Sequence, residues 1–184
     1  MIYKVAKVED IDAVLALHQK YQIDTIKEED KKDGFVTTAF SKEELTQLIS
    51  EESGLFIAVK DEKVLAYVMS ASWKFWSKWS MFRFMIEDLK SHPYKGVQLN
   101  HQNSYQYGPI CIDKSVRGSG ILESIFAFAS KEMSQRFEYL VTFVNKKNPR
   151  SFEAHSRKLA LKVFREFEYN ENNYFEFVHK LEKA

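Results

Sequence analysis

With one cysteine, Cys111, in 184 residues, the chain can close no internal disulfide and has no second thiolate for a metal site, so no metal is expected. Such usage fits a reducing cytoplasm. Neither sign of charge prevails. The 27 basic and 26 acidic residues leave a formal charge of +1, and no Lys/Arg cluster dominates a segment, so the footprint of a polyanion-binding surface is missing and nucleic acid is a poor default partner. Long apolar runs are missing too: the longest, residues 64–69, falls far short of the roughly 20 residues a bilayer span needs, and residues 1–10 hold no signal-peptide apolar segment. A soluble, cytoplasmic protein without a membrane partner is the expectation. Repeats and low-complexity linkers are also absent. The length suits one medium domain over residues 1–184.

What the chain does have is apolar material. Hydrophobic residues make up 45% and aromatics 15%, enough to fold and too much for a disordered chain. Residues 2–6 form an apolar-leaning strand, after which Glu9 and Asp10 open a helix with Ile11, Val14, Leu15, Leu17 and Tyr21 on one side. The charged run 24–33 reads as a solvated loop or helix surface. Ser41 and Glu44 have capping-box spacing, which predicts a second helix over 42–50, with Phe40 stapling onto Leu45. The apolar runs 55–59 and 64–69 flank four charged residues and predict a β-hairpin. Trp73, Trp76, Trp79 and Phe82 then recur every third residue towards Ile86 and Leu89, the stripe of one helix. Such a stripe is core in the ordinary case; a wall for an apolar substrate or a subunit interface, and with it a possible homodimer, is the sharper alternative.

Residues 105–128, YQYGPICIDKSVRGSGILESIFAF, are the centre of the functional reading. Ile110, Cys111 and Ile112 make a strand, preceded by Gly108-Pro109, which predicts a bulge or a local parting of neighbouring strands. A turn holding Gly118 and Gly120 follows, and then a helix with Leu122, Ile125, Phe126, Ala129 and Met133 on its buried face. A strand–turn–helix leaves the helix's first N–H groups unpaired and suited to an anion, most often a phosphate. The glycines present those groups without obstruction, and Arg117 offers a positive fork. A dinucleotide fingerprint would need a small residue where Glu123 stands, and the glycine-lysine-serine/threonine end of a Walker loop is absent. Downstream, 139–144 reads as a strand parallel to the first, and Asn148-Pro149 as a helix start. Phe152, Leu159 and Val163 mark that helix's buried stripe, with His155 on its flank. Two aromatic-rich strands, 162–169 and 174–180, then bracket a four-residue turn, 170–173.

These residues resemble the GNAT superfamily of N-acetyltransferases. Ile110-x-Ile112 followed by Arg117-x-x-Gly120 matches the family's aliphatic strand and its R/Q-x-x-G-x-G/A phosphate turn, with Leu122 in the last place, where the family has glycine or alanine. Asn148 and Ser151 match its downstream asparagine and small residue. His155 stands in place of the family's tyrosine, and Ala160-Leu161 near the place of its glycine-phenylalanine pair. The resemblance implies an α/β (α+β) fold, a mixed, splayed central sheet of about six to seven strands flanked by about four or five helices. It implies transfer of an acetyl or other acyl group from acyl-coenzyme A to an amine of a small molecule or peptide, by direct attack in a ternary complex. In that picture the backbone at Ile110 and Ile112 pairs with the pantetheine arm, and Arg117, Gly118, Ser119, Gly120, Ile121 and Leu122 form the pyrophosphate turn. Asn148 and Ser151 contact the pantetheine, and His155 is the candidate general acid for the departing thiolate.

Cys111, inside a strand, reads as packing; Asp113, at the strand's end, is one candidate base, and a water chain serves equally well. Two other functional classes stay open: a non-catalytic acyl-coenzyme A-binding or regulatory module, motivated by Leu122 and His155, and a protein-interaction domain built on residues 73–89. The acceptor is not legible.

Overall fold

The computed structural model of the protein describes residues 1–183. Among them the elements run β1 (Ile2–Val5), α1 (Ile11–Tyr21), α2 (Lys42–Glu52), β2 (Leu55–Lys60), β3 (Lys63–Ala71), α3 (Trp73–Trp76), α4 (Ser80–Asp88), β4 (Ser104–Ile112), α5 (Ile121–Met133), β5 (Tyr139–Asn145), α6 (Pro149–Glu153), β6 (Val163–Tyr169) and β7 (Asn172–Lys180). The strands form a seven-stranded mixed sheet in the order β1-β2-β3-β4-β5-β7-β6, an α/β fold. No helix among the described residues is long and apolar enough to cross a membrane. The chain divides into two compact units, one from Met1–Ser70 and Gly108–Ala129, the other from Ala71–Tyr107 and residues 130 onward.

In the first unit β1, β2 and β3 are antiparallel neighbours. Leu55, Phe56, Ile57 and Ala58 of β2 are all fully buried, so this strand is covered on both faces and reads as continuous rather than alternating hydrophobicity. α1 buries Ile11, Val14, Leu17 and Tyr21, and α2 buries Leu45 and Leu48. Each fully buried leucine contributes about 2 kcal/mol by leaving water. α2 starts at the expected capping box: Ser41 Oγ accepts from Glu44 N at 3.1 Å and Glu44 Oε1 accepts from Ser41 N at 3.1 Å. The β2–β3 turn is only Asp61-Glu62, both at positive φ (49° and 62°). That two-residue geometry normally recruits Asn-Gly or Asp-Gly, which is why the charged pair conceals it.

In the second unit β5 pairs parallel to β4 across Ser104–Gln106 and Tyr139–Val141, as expected, and antiparallel to β7. Beyond Gln106 the carbonyl of Tyr107 is taken by the Thr142 hydroxyl at 2.8 Å, and the Gly108-Pro109 bond is cis. The tryptophan segment is two helices, not one. Ser72 caps α3, and the Ser77 hydroxyl donates to the Lys74 carbonyl at 2.6 Å, ending the first helix before α4 begins. Its stripe is core except at the half-buried Trp79: Trp73 and Trp76 are buried, and their indole N–H groups donate to Ser104 Oγ at 3.0 Å and the Gln106 carbonyl at 3.1 Å. β6 and β7 are joined by Asn170-Glu171 alone, again at positive φ (49° and 62°), so Asn172 and Asn173 belong to β7 and not to the turn. Arg165 of β6 binds both Asp88 and the buried Glu176. Burial pushes the Glu176 carboxyl up, and the guanidinium partly offsets this.

Candidate functional site

The turn after β4 lies wholly in the first unit. Asp113 N–H donates to the Leu65 carbonyl at 2.8 Å, which holds the end of β4 beside β3. A 3-10 turn, Lys114–Val116, carries the chain to Arg117, after which Gly118 (φ 78°) and Gly120 (φ 81°) take the left-handed conformations that glycine adopts without strain. A Cβ at either glycine would meet no atom within 4 Å, so the space above the turn is open. Ser124 N–H reaches the Gly120 carbonyl at 3.1 Å. That makes Gly120 the cap of α5 and leaves the N–H groups of Ile121, Leu122 and Glu123 without intrahelical acceptors. These donors, the exposed turn and the positive end of a 13-residue helix are the arrangement that suits an anion.

Leu122, the departure from the small residue expected there, turns into the protein: it is 8% exposed, beside buried Ile121 and Ile125 on the core face of α5. Its bulk therefore stays out of the turn, which leaves only its backbone for a ligand. Arg117 departs from expectation in the opposite sense. Its Nε donates to the Ile112 carbonyl at 3.0 Å, its Nη1 to the Asp33 carbonyl at 2.9 Å, and the guanidinium lies 4.9 Å from the centre of the Tyr21 ring. Two of the guanidinium's five N–H groups thus brace the turn, and its charge remains beside it.

Asp113 sits beneath the same turn, 8% exposed. Burial pushes its carboxyl up, but Lys20 Nζ at 2.6 Å and the Ser115 N–H and hydroxyl at 2.9 and 2.7 Å outweigh that and hold it at about 2. A carboxylate so held is a poor general base. Cys111 is buried, and burial pushes its thiol up to about 12, so it packs and does not attack.

Asn148, Ser151 and His155 form a separate chain of contacts in the second unit. Asn148 Oδ1 accepts from Ser151 N at 3.1 Å, with Pro149 at the first helical position, as the helix-start signature predicts. α6 then widens into a π-helical turn, Ala154–Lys158, closed by Leu159 N–H to the Ala154 carbonyl at 3.0 Å. The wider turn changes which side chains face inward: His155, expected on the flank, is 4% exposed, while Leu159 is half-buried and Val163 lies exposed in β6. His155 Nδ1 lies 2.7 Å from the Ser151 carbonyl, and a carbonyl only accepts, so Nδ1 carries the proton. Nε2 is buried without a hydrogen-bond partner, and burial lowers the pKa of the ring. A general acid would need a second proton at Nε2, which these surroundings oppose.

No protein-family model matches the chain, and no curated protein sequence matches it. Solved structures do match. The ribosomal-protein-alanine N-acetyltransferase of Brucella melitensis has a TM-score of 0.64 at 14% identity, covering 98% of this chain and 100% of that one. An acetyltransferase of the GNAT family from Streptococcus pneumoniae gives 0.64 at 11% identity, with 98% and 99% covered. The fold is that of the GNAT N-acetyltransferases. The NatC complex bound to Gag peptide and CoA gives 0.62 at 12% identity, with 98% of each chain covered.

Against this GNAT-fold frame, Ile110, Ile112, Arg117, Gly118, Ser119, Gly120, Ile121 and Leu122 fall on one strand–turn–helix of the first unit. Residues around the turn that sequence reasoning missed are Lys20, Tyr21 and the run Glu28–Asp33. Tyr21 Oη accepts from Lys114 N at 2.7 Å and donates to Asp113 at 3.4 Å, and Lys114 Nζ pairs with Asp30 at 2.9 Å. These partners stand 84 to 93 residues apart. Tyr21 carried only the signal of a helix stripe, and the charge run only that of a solvated surface.

Proposed function

We propose that the chain is an acyl-coenzyme A-dependent N-acyltransferase that moves an acetyl group from acetyl-coenzyme A to an amine of a small molecule or peptide. The observation that carries this is the open, glycine-lined turn at the start of α5, with three unpaired helical N–H groups, on a fold shared with N-acetyltransferases. One of those structures holds CoA and a peptide together. The turn fits a pyrophosphate because its donors are backbone N–H groups and nothing occupies the space a ligand oxygen needs.

In this reading the turn from Arg117 to Leu122 holds the pyrophosphate, with Leu122 giving its N–H alone. The β4 backbone at Ile110 and Ile112, beyond the stretch that pairs with β5, pairs with the pantetheine arm and steadies the thioester carbonyl; the Ile112 carbonyl is already held by Arg117. The amine nitrogen attacks the thioester carbonyl, the C–N bond forms as the C–S bond breaks, and the proton the nitrogen loses is matched by one gained at the departing thiolate. That proton is not assigned to His155, whose own proton is given to Ser151. Asp113 is not the base.

The absence of a poised acid or base at these two residues favours, as a second reading, a module that binds acyl-coenzyme A without turning it over. Titration calorimetry with acetyl-coenzyme A tests both. Micromolar binding is expected, and no heat or thermal stabilisation at saturating ligand overturns both. Thiol release on adding a panel of amines then decides between them, and binding without release under any amine leaves the module.

A further inference from the structure

Resting on the coenzyme reading of the turn, we infer that Tyr21, the last residue of α1, is a positioning residue of that turn. Its hydroxyl is a two-way bridge, accepting the Lys114 N–H at 2.7 Å and donating to Asp113 Oδ2 at 3.4 Å, so it fixes the backbone on the approach to the glycines. Its ring is the floor under Arg117, with the guanidinium 4.9 Å from the ring centre. Tyr21 is 2% exposed, so competing water is kept from this cation–π contact. From there Arg117 reaches the carbonyls of Ile112 and Asp33 at 3.0 and 2.9 Å and ties down the residue that precedes Gly118.

Three further contacts close the brace around the tyrosine. Lys20, its neighbour, pairs with Asp113 at 2.6 Å; Lys114 pairs with Asp30 at 2.9 Å; and Asp113 caps Ser115. Bonds from α1, from Glu28–Asp33 and from β4 therefore converge on residues 113–117, while none of their side chains enters the open space above Gly118 and Gly120. Tyr21 touches none of the turn's glycines itself. It acts through Arg117 and the Lys114 backbone, and what it supplies is a cradle already shaped before the ligand arrives.

The test is carried out on the full chain with Tyr21→Phe, which removes the hydroxyl, and Tyr21→Leu, which also removes the floor under Arg117. Coenzyme A affinity is read by calorimetry, and turnover is read as separate KM and kcat values. The expected result is a roughly three- to tenfold weaker affinity in Tyr21→Phe and a larger loss in Tyr21→Leu. The KM for acetyl-coenzyme A rises in step, while kcat and the KM for the amine stay within about twofold. Arg117→Lys combined with Tyr21→Phe is expected to be less than additive, because both act on one unit. Should Tyr21→Leu not fold, Tyr21→Phe decides alone. Unchanged coenzyme A affinity in a folded variant, or a fall in melting temperature with no change in affinity, overturns the positioning role. A parent protein that does not bind coenzyme A overturns the coenzyme reading itself, a distinct result.

Discussion

Two strand-to-helix passages in this chain, one entering α5 and one entering α6, treat their backbone donors in opposite ways. At α5 the cap is Gly120, which has no side chain to satisfy the first N–H groups, and the space beside it is open. At α6 the cap is Asn148, whose Oδ1 takes the Ser151 N–H at 3.1 Å; Pro149 removes another donor, and Ser151 in turn accepts from His155. One passage leaves its first donors without intrahelical acceptors, and the other meets the Ser151 N–H with its own cap. A helix start that carries its own cap is held without a ligand. A helix start that lacks one, yet is braced from below by Arg117, Tyr21 and Asp113, has its stability supplied elsewhere and its donors kept free.

The contrast breaks most sharply at the glycines. Replacing Gly118 and Gly120 together by valine puts β-branched side chains at φ values of 78° and 81° and into the space above the turn. The left-handed conformation costs roughly 1–2 kcal/mol per residue, so coenzyme A affinity measured by calorimetry should fall more than tenfold. Retained affinity would mean that the open turn is not the anion site.

Next in size is the brace. With its carboxyl held at about 2, Asp113 has a folded pKa below its unfolded one, so its contribution is present above pH 4 and lost as the pH falls towards 2. That contribution is about 2 kcal/mol. Asp113→Asn should lower stability in urea unfolding at pH 7 by that order and flatten the acid limb of the stability curve. An unchanged acid limb would remove Asp113 from the account of the turn.

At α6 the expected effect is smaller. Asn148→Ala should cost about 1 kcal/mol of stability through the lost cap, while Asn148→Asp keeps the cap and the stability. Coenzyme affinity sharpens the comparison here. If Asn148→Asp is as stable as the parent yet binds coenzyme A more weakly, the residue contacts the ligand as well as capping; if affinity is unchanged, α6 is the closed passage its hydrogen bonds describe.

Element types and order were readable because their signals are local: the capping box at Ser41, the apolar face of α5, and Asn148-Pro149 each act within one turn of chain. The glycines of the turn were readable for the same reason. Both hairpin turns look longer in the sequence than they are, because Asp61-Glu62 and Asn170-Glu171 adopt positive φ without the glycine that usually marks it. The break between α3 and α4 depends on a serine hydroxyl bonding to its own helix, which an apolar stripe does not record. The roles of Tyr21, Asp30 and Arg117 come from partners 84 to 93 residues away, and no window on the sequence reaches that far. His155 was misplaced by the π-helical turn, which shifts the inward face in a way a 3.6-residue period cannot anticipate.

His155 carries the smallest expected effect and the finest distinction. Burial lowers its pKa, so between the folded value and the unfolded value near 6.5 the unfolded chain binds more protons, and stability falls as the pH drops below that value. His18 and His179 are lowered by burial as well, so the protein as a whole should lose stability from pH 7 towards pH 5, and His155→Phe should remove one part of that loss. Phenylalanine suits the site on its packing side, where the imidazole already lies against the rings of Tyr107 and Phe177 at 5.7 and 6.1 Å. Turnover of His155→Phe at pH 7 should then stay within about twofold of the parent, because general acid catalysis contributes roughly a hundredfold or more when it operates. A hundredfold drop, with the basic limb of the pH–rate profile lost, would instead show that Nε2 acquires a proton once the ternary complex forms. The α6 passage would then open on binding, and its contrast with α5 would belong to the free protein alone.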